Sequence, residues 1–214
     1  MDIQQKIIDL IKKNRISTTE VADALNKQGA VENVLALNRG HFKVGKVFWA
    51  YAYNGSNWNL HKDIVDIPEN SVLIVETFNC DNKAVFGDLV SKYLFLYKQV
   101  SAVVVRGKLR DVPRLIKENW PIWYEGPTPI GCHNQKNNEP LDPTILKKMQ
   151  DYYENAIAVC DDCGVVVITK EYHTTDFINA LNKIEEQEDI WYNCLDRLKW
   201  NTFDIVCLKK YLEE

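Results

Sequence analysis

An α/β fold is predicted from three observations. Short β-branched runs, "SVLIVET" (71–77), "SAVVV" (101–105) and "GVVVI" (164–168), read as buried strands. Segments with helical apolar periodicity separate them, the alternation expected of a sheet flanked by helices. The chain of 214 residues is 46% hydrophobic and 26% charged, an ordinary balance for a protein with one well-buried core. No repeat, low-complexity segment or long linker divides it. A single domain over 1–214 is therefore expected, with N-terminal helices in 1–30, a core over about 40–170 and C-terminal helices in 172–214.

In chain order, Ile3 to Lys13 reads as a helix that sets Ile3, Ile7, Ile8, Leu10 and Ile11 on one side. "STTEVADALNKQG" is a second helix, with Ser17 or Thr18 as N-cap, Glu20 closing a capping box and Gly29 as its stop. "FKVGKVFWAYAY" is a strand interrupted by Gly45. "NLHKDIVDIPENSVLIVET" gives a short helix, a turn and a buried strand. "AVFGDLVSKYLFLYKQ" is an apolar-periodic helix, "SAVVV" the strand after it, "VPRLIKEN" a short helix and "PIWYEG" a strand. The polar "CHNQKNNEP" is a surface loop. "LDPTILKKMQDYY" opens a helix with Pro143 in its first turn, and "AIAVCDDCGVVVI" is two strands about a turn. A long helix from Thr175 to about Leu198 follows, and "KKYLEE" is a solvated helix end.

Composition excludes several classes of function. A formal net charge of −4 argues against a nucleic-acid binder that relies on bulk electrostatics. No apolar run approaches the roughly 20 residues of a membrane helix. "MDIQQKIIDLIKKN" lacks the apolar centre and cleavage site of a signal peptide, so a cytoplasmic location is expected, without membrane contact. The six cysteines are scattered except for "CDDC" at 160–163. One such pair lacks the four ligands zinc prefers, and a strand rather than a helix follows it, so reduced thiols are expected. His41, His61, His133 and His173 form no ligand spacing.

Two pieces carry chemistry. In "FGDLV" a glycine precedes a helix, where the first N–H groups lack intrahelical partners. Gly87, Asp88, Leu89 and Val90 are a candidate carboxylate cradle; alternatively, Asp88 simply satisfies its own helix. In "VVVRGKLRDVP" (103–113) charge follows directly on an apolar run. Arg110 offers a fork of donors for a carboxylate, and Asp111 is a hard oxygen ligand suited to Mg²⁺ or Mn²⁺. The alternative for Asp111 is an N-cap on the helix beginning at Val112. Lys108 sits on a polar turn with no evident desolvation, which disfavours Schiff-base chemistry.

"G-D-L … V-V-V-R-G-K-L-R-D-V" resembles the signature of the family named for the regulator of ribonuclease activity A. "STTEVADAL", "VGKVFWAYA", "NSVLIVETFNCDNKAVFGDL", "PIWYEGPTPIG" and "IAVCDDCGVVVI" match further family segments in order. The resemblance implies a swivelling β/β/α fold, usually a homotrimer or hexamer with sites at subunit interfaces. It also implies metal-dependent aldol cleavage or decarboxylation of a small 2-keto acid such as 4-hydroxy-4-methyl-2-oxoglutarate or oxaloacetate. In that scheme the backbone at Gly87–Val90 and Arg110 contact substrate, Asp111 holds Mg²⁺ or Mn²⁺ largely through water, and Asp88 orients a catalytic water. A glutamate from a neighbouring subunit's long C-terminal helix completes the site; Glu188 aligns best, with Glu185 and Glu186 nearby. Arg106 and Lys108 either tune preference toward more anionic substrates or are solvated. The alternative function is a non-catalytic regulator acting by protein contact, since the family includes an inhibitor of an RNA-degrading endonuclease. The chain departs from the family in having one extra residue between Asp88 and Arg110. A helix also replaces the family's Gly-rich strand pair after "TPIG".

Overall fold

A computed structural model describes residues 2–213. Helix α1 (Ile3–Asn14) buries Ile7, Ile8 and Ile11 and is capped by Asp2, whose carboxylate accepts from the Gln4 N–H. Helix α2 (Thr18–Ala24) begins at Ser17 with both halves of the capping box, Ser17 Oγ taking the Glu20 N–H and Glu20 taking the Ser17 N–H. It stops earlier than expected. Asn26 and Lys27 both take positive φ and end the helix before Gly29 is reached. Gly29 is needed for another reason: a Cβ there would lie 2.7 Å from the Val167 carbonyl.

The remaining elements are β1 (Leu35–Ala36), β2 (Lys43–Tyr53), α3 (Trp58–Asp63), β3 (Val72–Phe78), β4 (Ala84–Phe86), α4 (Asp88–Lys92), β5 (Ala102–Leu109), α5 (Val112–Lys117), β6 (Ile122–Pro127), α6 (Pro143–Tyr153), β7 (Ile157–Asp161), β8 (Gly164–Ile168) and α7 (Thr175–Asp196). Strands pair in the order β1-β6-β5-β3-β2-β7-β8, with β4 added alongside β5. The β2, β3, β5 and β6 ladders are parallel, and β7 and β8 join antiparallel.

Gly45 does not interrupt its strand. Strand β2 runs unbroken through it, pairing with β7 over Lys43–Lys46 and with β3 from Val47 onward. Gly45 instead admits the Asn70 carbonyl, which a Cβ would meet at 2.8 Å. Ala84–Phe86, expected within a helix, is a strand. "KKYLEE" holds a single 3-10 turn at Lys210–Leu212; residue 214 lies outside the described residues.

Side-chain alternation along the strands sorts the core into layers. Leu73, Val75, Val103 and Val105 face Leu60, Ile64 and Leu94 on the α3 and α4 side. Val72, Ile74, Val104 and Trp123 face Ala158, Cys160, Val165 and Val167 of the β7–β8 ribbon. The ribbon's other face, Ile157, Val159, Val166 and Ile168, packs on α1, α2 and α7 through Ile7, Ile11, Val21 and Leu181. This is the predicted β/β/α layering, with helices closing both outer faces. Among the described residues, no helix is long and apolar enough to cross a membrane.

Candidate active site

Strand β5 runs further than its apolar stretch, carrying Arg106, Gly107, Lys108 and Leu109 before it ends. Lys108 is thus a strand residue, paired with Ala84 and Gly126, rather than part of a turn. Gly107 packs its bare Cα against Thr77, whose Cγ2 would lie 2.6 Å from a Cβ. Arg106 is part-exposed and paired with an acidic partner. Its guanidinium contacts the buried Glu76 carboxylate at 3.1 Å, and the Tyr153 hydroxyl donates to the same oxygen at 2.6 Å. A part-buried cation is stabilised by such a partner.

The end of β5 and the start of α4 meet. The Arg110 N–H donates to the Phe86 carbonyl at 3.0 Å. The Asp88 N–H donates to Asp111 Oδ2 at 3.2 Å, and Arg110 Nε lies 3.8 Å from that oxygen. Asp111 does precede α5 in the N-cap position, but its carboxylate makes no cap bond to that helix. Its backbone is left-handed, φ 58°, a conformation that costs a non-glycine residue about 1 kcal/mol. The strained backbone swings the side chain toward Gly87 instead. Such strain at a convergence of charged groups is characteristic of functional sites.

Gly87 makes that approach possible. A Cβ there would lie 2.3 Å from Asp111 Oδ2 and 2.8 Å from Arg110 Cγ. Gly131 closes the other side, where a Cβ would meet Arg110 Nη1 at 2.7 Å. Two glycines thus flank the Arg110 side chain. Because Asp111 takes the Asp88 N–H, the cradle at the helix start is smaller than expected. The N–H groups of Leu89 and Val90 are the early helical donors left without intrahelical acceptors.

Asp88 is buried, and Oδ2 lies 3.3 Å from Lys92 Nζ and 3.6 Å from Arg114 Nη1. Oδ1 is buried with no hydrogen-bond partner among the described residues. Asp88 therefore does not cap its own helix. Sequence reasoning missed Lys92 and Arg114. Lys92 was accessible from its i+4 spacing; Arg114 depends on the packing of α5 against α4.

Helix α4 continues into a π turn, Tyr93–Tyr97, with the Lys98 N–H donating to the Tyr93 carbonyl. A π turn holds more residues than an α turn, which gives the segment between Asp88 and Arg110 room for an added residue, and the start of α4 and the end of β5 still meet.

Glu188 lies elsewhere in this chain. It borders a cavity of about 270 Å³ with Trp191, Tyr192, Leu195, Ile205 and Val206. Burial raises its carboxyl pKa, and neighbouring Glu20, Asp23, Asp189 and Glu185 add to the rise. Glu185 accepts from Asn14 of α1 at 2.9 Å.

The residues at the site suit a hydrated hard cation. Among the described residues, no group of three or more His, Cys, Asp or Glu forms a cage. Asp111 is a half-exposed oxygen donor, and Asp88 Oδ1 lacks a partner. One or two carboxylates with water and substrate oxygens in the remaining positions is a common Mg²⁺ arrangement.

Comparison with known proteins agrees with this architecture. Protein DlpA of Legionella pneumophila is 24% identical over 169 residues, covering 76% of this chain and 27% of that protein. The chain thus spans about a quarter of that relative's length. An uncharacterized protein from Pseudomonas syringae pv. tomato superposes with a TM-score of 0.68 at 18% identity, covering 92% of this chain and 94% of its own. RraAS2 of Streptomyces coelicolor, described as an unusual member of the RNase ES inhibitor RraA protein family, superposes with a TM-score of 0.64 at 20% identity. It covers 83% of this chain and 91% of its own. These likenesses show the fold. The family model described as RraA-like, Aldolase/RraA, matches residues 18–167, and the chain belongs to that family.

Proposed function

We propose that this protein is a divalent-metal-dependent carbon–carbon lyase acting on a small 2-keto acid by retro-aldol cleavage, decarboxylation or both. One observation carries the reading. Asp111 is held in a strained backbone with its carboxylate against the Asp88 N–H and beside Arg110, in a space that only glycine at position 87 leaves open. Capping α5 or solvating a loop requires none of this.

Arg110 binds the substrate carboxylate through its guanidinium and, with the Leu89 and Val90 N–H groups, fixes its orientation. Asp111 holds the cation, Mg²⁺ or Mn²⁺, with water completing the shell. When bound, the cation supplies Lewis-acid stabilisation of the negative charge that develops on the 2-keto oxygen as the bond beta to it breaks. Asp88 orients a water and accepts or returns its proton, while Lys92 and Arg114 engage Oδ2. Lys108 is not required, since the scheme needs no Schiff base. Glu188 enters only from a second copy, in a trimer or hexamer that brings its α7 to this site.

The test is pyruvate release from oxaloacetate and from 4-hydroxy-4-methyl-2-oxoglutarate, with Mg²⁺ or Mn²⁺ and then with EDTA. Metal-dependent turnover that disappears in both Arg110→Ala and Asp111→Ala supports the lyase. Absence of turnover on both substrates from a folded protein overturns it for these substrates and favours the regulatory reading.

A further inference from the structure

We propose that Cys80 and Cys132 are a dithiol–disulfide pair, a modification site beside the candidate active site and chemically independent of it. Cys80 lies in the turn between β3 and β4, and Cys132 in the segment after β6. The backbone brings the two together. The Cys132 N–H donates to the Ala84 carbonyl at 2.8 Å, the Ala84 N–H to the Ile130 carbonyl at 2.7 Å, and the Lys83 N–H to the Cys80 carbonyl at 3.0 Å. A parallel bridge joins Ala84 to Gly131, and another joins Ser56 to His133. Within this clasp Cys132 packs on the cluster that contains Cys80. Each thiol is the largest influence on the other's acidity, and the Cys80 thiol also lies 3.6 Å from the Phe78 carbonyl.

The environment activates one of the two sulfurs. The hydrogen bond from Cys132 lowers the Cys80 pKa to about 7 against the opposing effect of burial, helped by the Gly55 backbone and the Lys83 charge. The same bond, with burial, pushes the Cys132 thiol up. A thiolate in contact with a second thiol is the arrangement that disulfide exchange requires. Access is unequal: Cys80 is buried, whereas Cys132 is partly open.

A small-molecule disulfide is the oxidant. In the minor form of the pair, in which the Cys132 proton has passed to Cys80, the more open Cys132 Sγ attacks the small disulfide, forming a mixed disulfide and releasing one small thiolate. The proton held on Cys80 leaves to solvent, and Cys80 Sγ then attacks Cys132 Sγ, expelling the second small thiolate. From the thiolate–thiol pair the protein loses one S–H bond and one thiolate charge and gains one S–S bond. The small disulfide is reduced to one thiolate and one thiol, the thiol carrying the released proton. The bond ties the β3–β4 turn to the segment whose Gly131 lies against Arg110.

The full-length protein is equilibrated with reduced and oxidised glutathione mixtures, quenched in acid, alkylated, digested and mapped by mass spectrometry. Exposed Cys163 and Cys207 report that oxidation has occurred. The expected result is a peptide pair linked through Cys80 and Cys132. In Cys80→Ala, Cys132 instead accumulates about tenfold more glutathione adduct than in the wild type, because an intramolecular thiol otherwise outcompetes millimolar glutathione. Cys132 found only as free thiol or glutathione adduct in the wild type, while Cys163 and Cys207 are modified, overturns the proposal. The wild-type map decides even if the variant fails to fold.

Discussion

Replacing Gly87 with alanine adds one carbon atom to the candidate site and tests whether Asp111 must lie where it does. The new Cβ falls 2.3 Å from Asp111 Oδ2 and 2.8 Å from Arg110 Cγ. Ordinary van der Waals contact for a Cβ begins at 3.4 Å, so the carboxylate must retreat by about 1 Å. The backbone imposes no further penalty, since φ at Gly87 is −151°, a value any residue adopts. Both obstructing side chains are about half exposed and yield toward solvent. What is lost is the Asp88 N–H to Asp111 bond, which is worth about 1 kcal/mol once its exposure is counted. In a protein of this size that shifts Tm by only about 2–4 °C. A displacement of about 1 Å in a positioned group costs about 100-fold in rate. Gly87→Ala is therefore expected to fold and melt almost normally, with kcat/KM for pyruvate release down about 100-fold and Mn²⁺ affinity weakened in an electron paramagnetic resonance titration. Wild-type kcat/KM with wild-type Mn²⁺ affinity would falsify the placement of the site at Asp111.

Three other perturbations separate fold from site. Gly107→Val forces a branched side chain onto Thr77, already 2.6 Å from a bare Cβ, and should cost about 1–3 kcal/mol in urea unfolding. Ser17→Ala removes half of the capping box on α2 and should cost about 1 kcal/mol, leaving catalysis unchanged. His173 has its pKa lowered by burial, with Asp2 and Glu171 opposing, and its Nε2 is buried without a partner among the described residues. The folded state thus binds the proton more weakly than the unfolded state, and stability is lost as pH falls through the unfolded value of about 6.5. Tm should decline from pH 7 to pH 5, and the decline should be shallower in His173→Gln.

Much of the fold was legible because its signals are local. The capping box at Ser17 and Glu20, the β-branched runs of β3, β5 and β8, and the Pro143 helix start each depend on residues a few positions apart. The meeting of Gly87 with Arg110 and Asp111 was also expected, through motif resemblance. What escaped depends on contacts between distant parts of the chain. Arg106 looks solvated until Glu76, thirty residues earlier, is placed beside it. Asp111 looks like a helix cap until its left-handed backbone turns the carboxylate toward α4. Gly45 reads as a break, since nothing local shows one strand changing partners from β7 to β3. Cys80 and Cys132 are scattered in sequence and adjacent only through the Ala84 bridge.

The π turn at Tyr93–Tyr97 has a consequence for comparing relatives. A helix that can take up a residue as a local bulge decouples chain length from the distance between its ends. In this chain the start of α4 and the end of β5 meet with the π turn between them. Sequence spacing between those two residues is therefore a poor gauge of whether a family member keeps its site. The residues that must pass one another without room to spare, Gly87 and Asp111, are the better gauge.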